Sequence, residues 1–476
     1  MKILLQRKRT HTGKLTGPLS VFVFITILSV AASANVSVSL LKLSATTPLF
    51  LLYFLLDSSA RNKALKFLAF TVIAVCVIGI AQKISFGAAV SSNPFSGRIY
   101  STLGNPNFLS SFLLISFPFF AAWTDKRNLG YLTILPYICI LLTQTAGSIL
   151  SLLVILGLFF VRGGKKKRLS LPGILFPIHL IIILCVLIAG GSSSKTMSAK
   201  KRFFKWRAGL QIVKTRPLLG TGWGGVKTNF ALYQNSIKRD FNLKSTSESK
   251  IHNDYIQIMA ESGITGFISF GALLLSALVI LRKKNFYAFA ALTAFMLDSV
   301  TNFPVELPSS LIFFALILSF DGAKHTAKML PATKKSTLLQ IAITLICLFF
   351  LLISVRDFAS DISRKQGYDS YAAGDLKKAE RAWLRAHLLS PTSGKTAYAL
   401  GMLYINDKRY NEAVRMFRES IKIRNYGEVY NNLGNALYLS NRPEEALAAW
   451  QKAVTLGCPG RKNIQKNINL LKKTPN

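Results

Sequence analysis

Eleven apolar runs dominate the chain, at about 19–34, 37–56, 65–82, 108–123, 129–145, 147–161, 171–190, 264–281, 285–300, 307–320 and 338–355. A bilayer helix needs roughly 17–25 mostly apolar residues, so these runs read as membrane spans, several of them short. The loops between them decide the orientation. With the N-terminus in the cytoplasm, the inner tail and loops collect 22 Lys and Arg, among them Lys8, Arg61, Lys126, Arg162, Arg282 and Lys334. The short outer loops hold Lys42, Lys83 and Arg98. Excess Lys and Arg on the cytoplasmic side is the usual determinant of orientation, and here the alternation holds through every span. It places the long segment 191–263, and everything after 355, outside the cytoplasm. Lys42 interrupts the second run and is expected to snorkel at the outer interface. The basic N-terminus before an apolar stretch also fits a cleaved signal peptide, but no small-residue cleavage site follows it and ten further runs do.

Composition supports this reading. The chain carries 59 Lys and Arg against 20 Asp and Glu, a formal charge of +39, yet 51% of its residues are hydrophobic and only 17% charged. A large positive charge can signal a nucleic-acid partner. Sorted by loop, this one sets topology instead, and no nucleic acid is expected. The apolar content excludes disorder. The length, with five Cys, excludes a small disulfide scaffold. Cys76, Cys139, Cys185 and Cys347 fall within spans and Cys458 stands alone outside, so no disulfide is expected.

Beyond residue 360 the sequence repeats itself. Gly367, Gly401 and Gly434 are spaced by 34 and 33, as are Ala379, Ala413 and Ala446, and Trp383, Phe417 and Trp450. Small residues suit close approach of paired helices, and the aromatics are expected to fill the space between neighbouring pairs. With Leu400-Gly401, Tyr404 and Leu433-Gly434, this resembles the tetratricopeptide repeat family. Three repeats are expected at about 360–393, 394–426 and 427–459, with a polar capping helix at 461–473. Ser370 stands in the first repeat where an aromatic is usual, with Tyr371 beside it. The fold class is all-α: a polytopic membrane bundle of about eleven spans plus an extracytoplasmic α-solenoid. The domains are a basic tail (1–18), a membrane domain (19–355) and a repeat domain (356–476) that binds an unidentified protein partner.

Chemistry outside the membrane has two places to sit. The loop 83–107 ends in GRIYSTLGNPN, where Arg98 is a lone Arg on the translocated side, against the topology bias. Asn105 and Asn107 read equally as substrate contacts or as a turn and helix start, with Asn107 or Ser110 as the expected cap. In the long loop 191–263, Phe203, Trp206, Leu210 and Val213 recur at helical spacing among Lys205, Arg207, Lys214 and Arg216, which suits a helix lying on the membrane interface. Pro217 ends it. Of five His in the chain, only His252 lies in this loop, and His is the natural general base near neutral pH. The loop carries 13 Lys and Arg, an anion-attracting surface. There is no DxD pair and no His/Cys cluster, so no metal is expected. Phosphate would instead meet the forked guanidiniums of Arg98, Arg202 and Arg207.

Four stretches in order carry a resemblance: R-x-x-x-T-L-G-N-P-N from Arg98 to Asn107, R-x-x-x-W from Arg202 to Trp206, P-L-L-G-x-G from Pro217 to Gly222, and H-N-D-Y…E-S-G-I-T-G from His252 to Gly266. Over about 20–320 the chain resembles the O-antigen ligase and polymerase superfamily. The resemblance implies a GT-C-type membrane fold that transfers glycans from undecaprenyl pyrophosphate carriers outside the cytoplasmic membrane, with no cofactor. It implies that Arg98 and Arg202 bind the carrier pyrophosphate and that His252 orients or deprotonates the acceptor hydroxyl. Lys201, Trp206, Arg207, Asn105, Asn107, Asn253, Asp254 and Gly222 would line the substrate site. The acceptor would be a glycan, lipid or protein. The chain departs from many relatives at Thr143–Ser148, TQTAGS, where they carry a Ser-Arg-Gly turn; Arg207, Lys200 or Lys201 is expected to stand in for that Arg. The competing readings are a polysaccharide polymerase, a protein O-glycosyltransferase, a non-catalytic membrane-anchored scaffold and, more distantly, a transporter, which would predict paired ionisable groups at mid-membrane.

Overall fold

The computed structural model describes residues 13–473 apart from 57, 89–94, 96, 166–169, 189–192, 242–249, 323–333, 392, 424–425 and 459. The basic residues Lys8, Lys166, Lys167, Arg168, Lys244, Lys324 and Lys328 lie outside the described residues. Among the described residues every regular element is helical. In the membrane domain the helices are α1 (Thr16–Ser29), α2 (Val36–Leu55), α3 (Ser58–Ala88), α4 (Pro106–Asp125), α5 (Ile134–Leu142), α6 (Ala146–Lys165), α7 (Leu171–Ile188), α8 (Ser193–Thr215), α9 (Val226–Phe241), α10 (Asp254–Lys284), α11 (Phe286–Thr301) and α12 (Pro308–Leu318).

Five of these, α2, α3, α4, α6 and α10, are long and apolar enough to cross a membrane. Shorter apolar helices accompany them at Thr16–Ala32, Gly130–Leu142, Leu171–Leu184, Phe286–Thr301 and Pro308–Leu318. α4 is buried along most of its length, packed against α11, α3 and α5, and so forms the bundle's centre. Aromatic packing closes the rest: Phe22 of α1 meets Phe50, Trp223 and Phe270 at 5.5, 6.2 and 5.0 Å, and Phe295 stacks on Phe314 at 4.7 Å. The outside of the bundle leaves Phe67, Phe70, Ile84, Ile181 and Val279 exposed. Such a surface suits lipid and not water, so this is an integral membrane protein.

α13 (Lys334–Ala372) is one uninterrupted helix of 39 residues. At 1.5 Å per residue it is about 58 Å long. It therefore runs from the last apolar stretch straight into the first repeat. α14 (Leu376–Leu389) pairs with its C-terminal end, followed by the pairs α15 (Gly394–Asn406) with α16 (Tyr410–Ile423), and α17 (Gly427–Leu439) with α18 (Pro443–Thr455); α19 (Arg461–Lys473) packs on α18. The repeat aromatics work differently from expectation. A Cβ on Gly367 would lie 2.3 Å from the Trp383 ring, one on Gly401 2.6 Å from Phe417, and one on Gly434 2.4 Å from Trp450. Each aromatic thus fills the space inside its own helix pair, and the glycine opposite is what admits it. In the first pair Tyr371 tilts against Trp383 at 5.6 Å, as Tyr438 does against Trp450 at 5.8 Å in the third.

The described part of the long segment 191–263 folds into a small core of its own. Phe204, Ala208 and Ile212, one stripe of α8 at i, i+4 and i+8, pack with Val226, Phe230, Ile251 and Ala260. The stripe expected from the sequence to be the single apolar face divides. Phe203 and Leu210 remain 56% and 43% exposed, while Trp206 and Val213 turn partly towards the core. α8 is apolar on two sides, which a single-face reading cannot resolve.

Candidate active site

Two turns bring the sequence motifs together. Asn105 caps α4, its Oδ1 accepting the Asn107 N–H at 2.8 Å, with Pro106 at the first helical position. The helix start is where the sequence puts it, but its cap is Asn105 and not Asn107 or Ser110, because Pro106 takes the first helical position and leaves the residue before it to accept the free N–H. Asn107 faces the other way, its Oδ1 accepting from Arg98 Nη2 at 3.1 Å and from Thr145 Oγ1 at 3.2 Å. Arg98 also donates from Nε to the Thr143 carbonyl at 2.6 Å and from Nη2 to Thr145 Oγ1 at 3.1 Å. The break between α5 and α6, with Gln144 at φ 51°, is the TQTAGS stretch that lacks an Arg. A guanidinium nevertheless occupies this turn, and it is that of Arg98. The expected substitutes do not: Lys201 and Arg207 are exposed on α8.

Arg202 of α8 lies within electrostatic reach of Arg98. Burial weakens the proton affinity of both guanidiniums; the charge of Arg202 lowers that of Arg98 further, while the Asp298 carboxylate supports Arg202. Asp298, buried in α11, accepts hydrogen bonds from Ser111 Oγ at 2.5 Å, Asn302 Nδ2 at 2.7 Å and Ser148 Oγ at 3.2 Å. Arg202 makes no hydrogen bond or ion pair with a described residue. Two forked cations close to one another, one of them without a described hydrogen-bond partner, have the charge and donor geometry that suits an anion.

His252 sits in the turn before α10 at φ 60°, a left-handed conformation costly for a residue with a Cβ. Asn253 caps α10 by accepting the Ile256 N–H at 3.0 Å. The Trp206 indole donates to the His252 carbonyl at 3.2 Å, so Trp206 positions the histidine through its backbone. The imidazole stands edge-on to Phe303 at 4.8 Å, and its Nδ1 is buried without a hydrogen-bond partner. Burial, then the charges of Lys205, Arg202 and Lys250, push the ring's pKa down to about 3. It is therefore neutral at any physiological pH. Lys250 hangs over the Phe303 ring at 4.3 Å and the Phe108 ring at 6.0 Å.

The remaining motif residues are structural in this geometry. Asp254 is buried and its Oδ2 accepts the Val305 N–H at 2.9 Å and Ser299 Oγ at 3.3 Å, tying the start of α10 to the α11–α12 connection. Gly222 has φ 88°, and a Cβ there would come 2.4 Å from Ser33 Cβ; it packs against the α1–α2 turn. The motifs P-L-L-G-x-G and E-S-G-I-T-G dock on each other. Ile264 N–H donates to Pro217 O at 2.7 Å, Thr221 N–H to Ala260 O at 3.0 Å and Thr265 Oγ1 to Leu218 O at 2.9 Å, across a kink in α10 at Gly263.

Lys42 does not snorkel. It turns inward to pair with Glu261 at 2.6 Å and with Glu306, under a cation–π contact with Trp223 at 4.5 Å. Two buried carboxylates attract it more strongly than a dilute interface does. Lys42→Met is expected to strand both carboxylates and to destabilise the protein by about 3–5 kcal/mol. A thermal melt in detergent checks this, and an unchanged transition would contradict the buried network. Lys205, Lys250, Phe303 and Glu306 were not singled out as site residues from sequence. Lys250 stands two residues before His252, which is the one local signal it offers.

Residues 131–271 match the O-antigen ligase family, a stretch that holds Arg202 and His252 but not Arg98. Residues 395–425 and 427–457 match tetratricopeptide repeats. The chain carries an O-antigen ligase-like domain followed by tetratricopeptide repeats. It is 24% identical over 316 residues to the ComP-specific O-oligosaccharyltransferase of Acinetobacter baylyi, covering 61% of this chain and 56% of that protein. It is 24% identical over 152 residues to the exopolysaccharide production protein ExoQ of Rhizobium meliloti, covering 29% of this chain and 34% of that protein. The chain thus spans little more than half the length of the first of these curated relatives and a third of the second. The repeat region also aligns with the N-terminal domain of stress-induced protein-1 (STI-1) from C. elegans, at 17% identity over 25% of this chain and 98% of that one, with a TM-score of 0.23, too low to carry an argument.

Proposed function

We propose that this O-antigen ligase-like protein transfers a glycan from an undecaprenyl-pyrophosphate carrier to an acceptor hydroxyl on the outer side of the cytoplasmic membrane, without a metal. The observation that carries the reading is His252: a neutral imidazole with an unpartnered buried nitrogen, ringed by Arg202, Lys205 and Lys250. The acceptor oxygen bonds to the anomeric carbon of the donor sugar as the bond from that carbon to the pyrophosphate oxygen breaks. Undecaprenyl pyrophosphate departs and the acceptor proton passes to His252. Arg98 and Arg202 stabilise the charge that gathers on the leaving pyrophosphate, and the site otherwise needs only to hold donor and acceptor in line.

The cations serve a second purpose. Burial first, and these cations after it, lower the basicity of His252. A bound pyrophosphate offsets them, so the imidazole becomes a competent base once the donor is present. The first relative is named an O-oligosaccharyltransferase, which favours transfer of an oligosaccharide to an oxygen acceptor, as ligase or protein O-glycosyltransferase, over a non-catalytic scaffold.

Arg202→Ala, supplied to a strain lacking the wild-type chain, is expected to reduce surface glycan attachment by about 10²-fold, the usual scale for losing one stabiliser of developing charge. Wild-type glycan levels at equal expression would contradict the assignment. The orientation has a separate check. A reporter active only outside the cytoplasm, fused after residue 476, is expected to be active; an inactive one would break the eleven-span topology.

A further inference from the structure

A cavity of about 480 Å³ lies between the membrane domain and the repeats, and nothing above uses it. Its membrane-side wall comes from α2, the Gly224 turn and α10; its other wall comes from α13, the start of α15 and Tyr426. Lys250 lines it and also sits over Phe303 beside His252. Arg98 and Arg202 are not among its walls. His252 is not in its walls either; the cavity reaches the histidine's neighbourhood through Lys250, two residues before it, and away from the guanidiniums that would hold the carrier. Its volume falls in the ~300–1,000 Å³ range of ligand pockets.

The lining is chemically mixed. Lys42, Lys227, Lys250, Arg364 and Lys395 face it, against the carboxylates Glu261, Glu306 and Asp361. Lys42 is engaged by both glutamates, and Arg364 pairs with Asp361 at 2.5 Å. Five cations to three carboxylates leave an excess of positive charge. Gln257 is held by the Ile251 N–H and Glu261, so the lysines and carboxylates are the groups that would meet sugar hydroxyls, and the Tyr426 ring offers a flat face. Gly394 opens the 13-residue helix α15, whose positive end also lines the cavity.

We infer that this cavity is the acceptor's binding vestibule, that it takes an acidic, hydroxyl-rich glycan chain, and that the repeat array forms one of its walls. The inference rests on the transfer reading above. It gives the repeats a role in acceptor choice beyond any protein partner.

Two oligosaccharides of equal length test it: hexagalacturonate, which is acidic, and maltohexaose, which is neutral. Equilibrium binding to the purified full chain in detergent is expected to favour hexagalacturonate by at least tenfold. Lys395→Glu is expected to weaken that binding at least tenfold, and the milder Lys395→Gln about threefold, which keeps the test readable where the charge reversal fails to fold. In a transfer assay hexagalacturonate should inhibit by competing with the acceptor and not with the donor. Equal or absent binding of the two hexamers, binding unchanged in both variants, or inhibition competitive with the donor would each overturn the inference. A wild-type protein that binds hexagalacturonate as stated but transfers no glycan would instead overturn the transfer reading, so the two failures are distinguishable.

Discussion

Replacing His252 by Ala is expected to lower glycan transfer by about 10²–10⁴-fold, the span usual for loss of a general base. The pH dependence makes the claim specific. An unperturbed imidazole titrates near ~6.5 and would impose an acid limb there. In the free protein burial and the charges of Lys205, Arg202 and Lys250 push His252 down to about 3. The profile of kcat/KM, which reports the free enzyme, should therefore show no limb from His252 between about pH 5 and 8. In the profile of kcat the donor is bound and its pyrophosphate opposes the cations, so the acid limb should lie at higher pH. Lys205→Ala removes one like charge and should move the limb in kcat/KM upward. Initial rates from the lowest pH the protein tolerates up to about pH 8 check all three. A wild-type limb from His252 in kcat/KM near pH ~6.5, or a limb unmoved in Lys205→Ala, would sink the electrostatic part of the mechanism.

Gly263→Ala is expected to be the most damaging single change outside the chemistry. Gly263 holds φ 69° and ψ −169° inside α10, a region open essentially to glycine. A Cβ there would lie 2.0 Å from Leu218 O and 2.2 Å from Leu218 C, backbone atoms that cannot swing away. Strain and displacement together should cost on the order of 4 kcal/mol. The turn after Pro217 would undock from α10, and α8 would carry Arg202 away from His252. Thermal unfolding in detergent, with transfer measured alongside, reads both effects. Gly271→Ala is the control: it lies in the same helix, and nothing is within 4 Å of an added Cβ. It should be neutral or slightly stabilising, by roughly 0.5–1 kcal/mol. Equal behaviour of the two variants would refute the docking argument.

What could be read without coordinates was what repeats or alternates along the chain. The glycine and aromatic spacing of the repeats is local and periodic, so it pointed to a helical array. The apolar runs and basic loops pointed to an integral membrane protein. What stayed hidden were partners distant in sequence. Lys42 looked like an interfacial cation because Glu261 and Glu306 lie 219 and 264 residues away. Nothing near Asp298 in the sequence shows that Ser111 and Ser148, 187 and 150 residues away, donate to its carboxylate. Gly222 was taken for a substrate contact, while its φ and its fit against Ser33 give it a packing role. The missing Ser-Arg-Gly arginine was sought on α8, where local charge was dense, yet the turn is filled by Arg98 from 45 residues earlier. Arg98, Arg202 and His252 were named from motifs in three separate stretches, and the fold gathers them around one site.

The decisive experiment incubates the purified full chain with an undecaprenyl-pyrophosphate-linked glycan and an acceptor-bearing membrane extract, in the presence of a chelator. Release of undecaprenyl pyrophosphate and glycan attachment are followed together. The wild-type chain should give both in equal amounts, and His252→Ala should give neither above background. Glycan attachment unchanged in His252→Ala, or a wild-type chain that releases no undecaprenyl pyrophosphate while attaching glycan, would contradict the mechanism.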